Sequence, residues 1–163
     1  MAPFYSTLLR FNLQKLPEVE GDLAQSWTVA PDLMAYTFKL APNVTFHDGT
    51  PLTSADVKAS YERLRNPPQW VVSTRRATFA DIDTIETPDP LTVVFKMKNV
   101  FASMIEHFAS PWNVIYSAKD LAADPVSPRT RINGTGPFIF VEHVKDNHVT
   151  GRRNANYLSL IHI

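Results

Sequence analysis

One segment, residues 23–65, constrains the fold of this chain more than any other. It reads LAQSWTVAPDLMAYTFKLAPNVTFHDGTPLTSADVKASYERLR. The run AYTFKL alternates apolar and polar side chains, which predicts a half-buried β-strand. Thr53 is a good helix N-cap, and Asp56 follows three residues later as in a capping box. A strand pattern and a helix start this close together predict a mixed α and β structure.

The helix that begins after Thr53 has one apolar stripe. Val57, Tyr61 and Leu64 recur at helical spacing, and the polar residues between them face elsewhere. The sequence Asn-Pro-Pro at residues 66–68 ends the helix, because proline cannot continue it.

The rest of the chain alternates short strands and short helices. Residues 82–97 and 137–153 each read as a hairpin, the second turning at Asp146 and Asn147. We predict extended segments at residues 8–12, 26–29, 44–46 and 114–116, and helices at residues 101–109 and 117–123. We predict that residues 69–80 are partly helical and that residues 1–10 form a short helix or turn. The connectors are residues 17–21 and 124–132. Separate hairpins and helices favour an α+β fold over a doubly wound parallel sheet.

Composition excludes several function classes. The 163 residues carry 16 basic and 16 acidic side chains, so the net charge of zero argues against a dominant role on nucleic acid or an anionic membrane. The absence of cysteine excludes disulfides, cysteine-based zinc sites and thiol catalysis. No apolar run approaches the ~20 residues of a membrane span, and no signal peptide is visible.

Three motifs have both a chemical and a structural interpretation. His47-Asp48-Gly49 is a catalytic or metal-binding dyad, or a turn at a strand end, and turn chemistry favours the second. Gly134-Thr135-Gly136 lacks the ending of a phosphate loop and predicts a tight chain crossing. His143 and His148 flank a hairpin turn and are able to face each other, but zinc sites normally need three or four ligands. No GxSxG elbow is present.

Five spaced motifs share a further property. The motifs LAQSWTV, AYTFKL, VTFHDGTPLTSADVKASYERL, TPDPLTVVFKM and NGTGPFIFVEHVKDNHVTGRRNANY occur in one order over residues 4–157. In that order they resemble the family 5 extracellular solute-binding proteins of ABC transporters, the peptide- and nickel-binding class.

The resemblance implies a fold and its division. It implies the N-terminal part of a two-lobed periplasmic-binding-protein fold of class II, the three-domain type. Residues 1–22 then belong to the first domain, residues 23–131 to a small second domain, and residues 132–157 to the return into the first. Residues 158–163 depart from the family pattern, and we expect the chain to be a truncated part whose tail is atypical.

The same resemblance implies a function. It is capture of a peptide or other small polar solute between two lobes, in the periplasm or at the cell surface, and delivery to an ABC permease, with no catalysis, cofactor or metal. A solute-sensing domain of a cytosolic regulator is the alternative, and a peptidase-like or metal-dependent enzyme is a second rival. Ligand-binding residues are expected near Tyr5, Arg75, Arg76, Trp112 and Asn113, where an arginine can pair with a ligand carboxylate and an indole can supply an apolar wall.

Overall fold

The computed structural model of the chain describes residues 3–69 and 71–158. In that part it contains eight strands and three α-helices: β1 Leu9–Phe11, β2 Val19–Gly21, β3 Ala24–Val29, β4 Ala35–Leu40, α1 Ser54–Arg65, β5 Ile82–Asp89, β6 Thr92–Met97, α2 Met104–Phe108, α3 Ala118–Ala123, β7 Phe138–Val144 and β8 His148–Arg153. A 3-10 turn follows α3 at Ser127–Arg129. Apart from Leu158, the tail predicted at residues 158–163 lies outside the described residues.

A four-stranded antiparallel sheet forms the centre of the fold, in the order β3-β4-β6-β5. Tyr36 pairs with Phe95, and Phe38 pairs with Val93. The alternation predicted for β4 is confirmed, because Tyr36, Phe38 and Leu40 are buried. The hairpin predicted over residues 82–97 is confirmed as β5 and β6. This arrangement is the predicted α+β class.

Two further hairpins lie beside this sheet. The predicted hairpin of residues 137–153 is confirmed as β7 and β8, with Asp146 at its turn in the left-handed region (φ 60°). The first hairpin, β1 and β2, was missed, because residues 17–21 were predicted to be a connector. Val19 pairs with Phe11, and Arg10 forms an ion pair with Glu20 at 2.7 Å. Strand β2 therefore forms because it pairs with β1, and no pattern in its own three residues predicts it.

Four other local predictions are wrong or too long. Residues 44–46 form no strand but a loop around Gly49, with a single bridge between Thr45 and Pro51. Residues 69–80 form successive turns in their described part, in which the N–H of Arg76 donates to the Ser73 carbonyl three residues back. The short helix or turn predicted at residues 1–10 is confirmed in the described part only as a turn at residues 3–4. The helix predicted at 101–109 is confirmed only over Met104–Phe108.

Helix α1 begins and ends where the sequence predicts. The carboxylate of Asp56 accepts hydrogen bonds from the backbone N–H of Thr53 at 2.8 Å and from its hydroxyl at 3.0 Å. The same carboxylate accepts the N–H of Ala118 at 2.8 Å, at the start of α3. Ser117 caps α3, its Oγ accepting the N–H of Asp120. Buried Asp56 therefore joins the starts of two helices.

Aromatic rings fill the space between α1 and the sheet. The ring of Phe108 lies 4.7 Å from that of Phe95, 4.9 Å from Phe38 and 5.5 Å from Tyr61, measured between centroids. Tilted and edge-to-face contacts of this kind add to the free energy of area burial. Val57 and Tyr61 of the predicted stripe are fully buried in this core, and Leu64 packs at its edge.

A smaller apolar cluster forms where the chain crosses back beneath its own start. Phe4, Tyr5 and Val114 are buried there, with Phe138 and Phe140 packed against them. This cluster is separate from the main core, although the predicted domain boundaries at residues 22/23 and 131/132 remain predictions.

Two glycines make the crossing possible. A methyl group on Gly134 would overlap the carbonyl oxygen of Phe4, and one on Gly136 would lie 2.6 Å from the N atom of Tyr5. The N–H of Gly136 donates to the Phe4 carbonyl at 3.1 Å. The tight crossing predicted from Gly-Thr-Gly is therefore confirmed, and its glycines serve close backbone approach.

The His47-Asp48-Gly49 motif is the turn that the sequence favours, and it is fastened to the crossing. Gly49 adopts φ 85°. The N–H of His47 donates to the Gly134 carbonyl at 2.8 Å, and its ring Nε2 lies 3.0 Å from the Gly136 carbonyl oxygen. Asp48 accepts from the Asn133 amide at 3.1 Å. These contacts lock the turn against the returning chain.

We expect Asp56→Ala to lower the free energy of unfolding by about 2–4 kcal/mol, since it removes a helix cap and leaves buried N–H groups unpaired. Urea unfolding followed by circular dichroism measures the change. The exposed Asp83→Ala serves as the control and should stay within about 0.5 kcal/mol of the parent. A loss for Asp56→Ala as small as that of the control would contradict the role given to this carboxylate.

We also expect the free energy of unfolding to fall as the pH drops below about 6.5, because of His47. Burial lowers the pKa of His47 from 6.5, against opposing effects of its Gly136 hydrogen bond and Asp48, while Arg152 lowers it further. The unfolded chain therefore takes up the proton first, and stability present above that pH is lost as the pH falls. Urea unfolding between about pH 7 and pH 5 tests this, with His47→Gln as the comparison. Equal pH slopes for the parent and His47→Gln would refute it.

Candidate ligand-binding site

A cleft opens between the end of α1, the turns that follow it, and residues 112–116. Its volume is about 160 Å³. The residues that line it are Ser60, Arg63, Leu64, Val71, Val72, Ser73, Thr74, Arg75, Trp112, Val114 and Tyr116. The lining combines two guanidinium groups, two large aromatic rings and several hydroxyls, which is the mixture of apolar wall and few polar groups found in ligand sites.

Arg75 and Trp112, two of the five predicted site residues, meet at this cleft. The guanidinium carbon of Arg75 lies 5.7 Å from the centroid of the Trp112 ring, a cation–π contact. Trp112 is 71% exposed, although most large rings of this chain are buried. None of the ion pairs within residues 3–69 and 71–158 involves Arg75. Its charge is therefore available to a ligand.

Tyr5 and Asn113 lie next to the cleft without lining it. The ring of Tyr5 packs edge-to-face on Tyr116 at 5.3 Å, and burial, assisted by Tyr116, raises the pKa of Tyr5 to about 12. Asn113 is buried, and its Nδ2 donates to the His107 carbonyl at 2.7 Å. Both residues support cleft residues from behind.

Arg76, the fifth predicted residue, is exposed and does not line the cleft. It follows Arg75 in a series of turns, so the two neighbouring side chains lie in different surroundings. The structure therefore brings two of the five predicted residues together, places two behind them and leaves one outside.

The sequence analysis missed Arg63 and Tyr116. Ser60, Arg63 and Leu64 are spaced i, i+3 and i+4 on α1, so they share one face of that helix. That face borders the buried stripe of Val57 and Tyr61. The spacing was readable from the sequence, but the segment that the face meets was not.

Tyr116 is held in place by its backbone. Its N–H donates to the Oγ of Ser60 at 2.8 Å, and the same Oγ donates to the Asp56 carbonyl at 2.7 Å. Burial raises the pKa of Tyr116, while the nearby charges of Arg63 and Arg75 oppose that increase. Tyr116 is therefore a neutral hydroxyl close to two cations at neutral pH.

The described residues hold no group of three or more histidine, cysteine, aspartate and glutamate side chains able to bind a metal ion. His143 and His148 do not pair across the β7–β8 hairpin, because His143 lies opposite Val149 and His148 opposite Val144. The ring of His148 instead contacts Glu142, with Nε2 3.4 Å from Oε1. In the same described part, no helix is long and apolar enough to cross a membrane.

Comparison with known proteins identifies relatives along most of the chain. The family described as bacterial extracellular solute-binding proteins, family 5 middle region, matches residues 18–160. A putative ABC transporter peptide-binding protein of Brucella ovis is 38% identical over 149 residues, which cover 88% of this chain and 28% of that protein. The glutathione-binding protein GsiB of Pectobacterium atrosepticum is 32% identical, over 94% of this chain and 29% of that protein.

A solved structure agrees with these relatives. The binding protein AgaA from A. tumefaciens R10, in complex with agropinic acid, superimposes with a TM-score of 0.89 and 33% identity. The match covers 98% of this chain and 31% of AgaA. The chain thus spans less than a third of the length of these relatives. The motif order, the fold and these matches agree, and the chain belongs to the family 5 bacterial extracellular solute-binding proteins.

Proposed function

We propose that this chain supplies one wall of the ligand cleft in the substrate-binding component of an ABC importer. The component captures a peptide or another small polar solute between two lobes, at the cell surface or in the periplasm, and delivers it to the permease. Its work is binding without catalysis. Closure of two lobes around a ligand is the established way in which binding proteins of this kind bury their solute.

The observation that carries this proposal is the Arg75–Trp112 pair at the cleft. The exposed indole and the guanidinium group, which has no ion-pair partner in the described residues, lie against each other at the cleft, where both can contact a solute. Together they offer an apolar plane and a cation, and both suit a ligand that has a hydrocarbon part and a carboxylate.

The size of the cleft supports a shared site. Its 160 Å³ is smaller than the roughly 300–1,000 Å³ of complete small-molecule sites. One wall in this chain and a second wall in the facing lobe of a two-lobed protein would make up the difference.

The relatives narrow the ligand class. Their names describe peptide and glutathione as ligands, and the AgaA structure contains agropinic acid. These three ligand types all carry carboxylate groups, and a carboxylate is the natural partner of a guanidinium group. We therefore place peptides and small carboxylated solutes first among the ligands of this chain.

The other predicted residues take supporting parts in this proposal. Tyr5 holds the Tyr116 ring from behind, and Asn113 fixes the backbone between Trp112 and Val114. Arg76 stands outside the cleft, where it would guide an anionic solute towards the opening by its charge.

We expect Trp112→Ala and Arg75→Gln each to weaken solute binding about tenfold or more. Each change removes a contact to the solute; a hydrogen bond to a charged group contributes roughly 1.5–3 kcal/mol, and 1.4 kcal/mol corresponds to a factor of ten. Calorimetric titration of the complete product of the gene with a panel of unmodified di- and tripeptides, glutathione and agropinic acid measures the affinities.

Arg153→Gln is the matched control, because it removes the same charge from an exposed position on β8. It should leave the affinity unchanged. Binding that survives both Trp112→Ala and Arg75→Gln at the parent's affinity would rule out this cleft as the ligand site.

A further inference from the structure

We propose that Arg63 is a specificity-determining residue of the cleft, and that Arg63 and Arg75 together bind a carboxylate group of the ligand beside the hydroxyl of Tyr116. The inference rests on the proposed function and deepens it. It adds Arg63 and Tyr116, which were not predicted from the sequence, and it states that the cleft selects a carboxylate group of the ligand.

Arg63 has an unused hydrogen-bond donor. Its Nη1 atom is shut off from solvent and has no hydrogen-bond partner among the described residues. A buried guanidinium nitrogen without a partner is costly, because its hydration has been removed and not replaced. Arg63 lines this cleft and also a second cavity beside α3, but of the two only the cleft is lined by another cation and by hydroxyl groups that would bind the same ligand acceptor.

The nearby acidic groups do not neutralise Arg63. Glu62, its neighbour on α1, is engaged by Arg65, with 2.9 Å between Nη2 and Oε1. Asp124 attracts the Arg63 charge, but Arg129 repels it, so the two oppose each other. Tyr116 is the remaining group that faces Arg63, and it is neutral at physiological pH.

The two arginines face the same phenol. Arg63, Arg75 and Tyr116 all line the cleft, and the charges of both arginines oppose the rise in the pKa of the Tyr116 hydroxyl. The cleft therefore holds two cations with no carboxylate between them. A planar monoanion that accepts from a guanidinium fork and from a hydroxyl fits this arrangement, and a carboxylate is such a group.

The two arginines have different roles because their surroundings differ. Arg75 lies over an exposed indole, where water weakens its electrostatic attraction. Arg63 presents a desolvated nitrogen, where attraction to an anion is stronger. Arg63 should therefore contribute most to the discrimination between a ligand carboxylate and the neutral amide of the same shape.

The first experiment follows the side-chain Nε–Hε signals of Arg63 and Arg75 by NMR in the complete gene product, labelled with 15N-arginine. Sodium acetate is titrated against sodium chloride at constant ionic strength. We expect saturable shifts of both signals with one midpoint, no saturable shift with acetamide, and loss of the saturable Arg75 shift in Arg63→Met.

Three comparisons make this result decisive. Lys58→Met, which removes an exposed charge from the same helix, should leave the acetate midpoint unchanged. Arg63→Lys should restore it only in part, since lysine keeps the charge and loses the fork. A linear acetate response at Arg63, or an unchanged Arg75 midpoint in Arg63→Met, overturns the proposal. Tighter saturation by inorganic phosphate than by acetate overturns the assignment to a carboxylate.

The second experiment compares trialanine with trialanine amide, the same peptide without a terminal carboxylate, by calorimetry. The parent should prefer the acid by about tenfold or more, and Arg63→Met should bring the two affinities together at an unchanged melting temperature. Peptide binding with equal affinities for acid and amide in the parent defeats this inference but leaves the proposed function standing. Saturable acetate binding without binding of any peptide or solute of the panel would contradict the proposed function but leave the carboxylate site of Arg63 and Arg75 standing.

Discussion

The carboxylate of Asp56 is the contact on which the arrangement of the cleft depends. It closes the first turn of α1 through Thr53 and accepts the N–H of Ala118 at the start of α3. One turn later, Ser60 accepts the N–H of Tyr116. These bonds fix the segment that carries Trp112 and Tyr116 against the helix that carries Arg63. A helix cap, normally a local device, here sets the position of one wall of the cleft.

Elements that neighbouring residues determine were predictable from the sequence. Elements that depend on contacts with distant parts of the chain were not. Alternation in β4, the cap of α1 and the turn at Asp146 are properties of a few neighbouring residues. The strand β2 has no such pattern and exists because it pairs with β1. Residues 69–80 were predicted to be partly helical and form turns in their described part, where the hydroxyl of Ser73 donates to the Leu64 carbonyl at the end of α1, a contact that local sequence does not indicate.

The same distinction applies to the site. Arg75 and Trp112 were selected from the family resemblance, and their contact supports that selection. Arg63 was missed because the feature that distinguishes it, a guanidinium nitrogen buried without a hydrogen-bond partner among the described residues, arises only in the folded chain. Burial of one atom is a property of the assembled structure. The helix spacing of Ser60, Arg63 and Leu64 was visible, but nothing in the sequence indicated that this face borders a cleft.

The position of the Tyr116 ring has a mechanical consequence. The Tyr116 side chain lines the cleft, and its ring also packs edge-to-face on the ring of Tyr5. Tyr5 in turn follows Phe4, against whose backbone Gly134 and Gly136 fit with no room for a methyl group. Close-packed atoms transmit displacement rather than absorb it. A continuous series of packed contacts therefore connects the cleft wall to the chain crossing. The volume of the cleft is set partly by residues that do not line it.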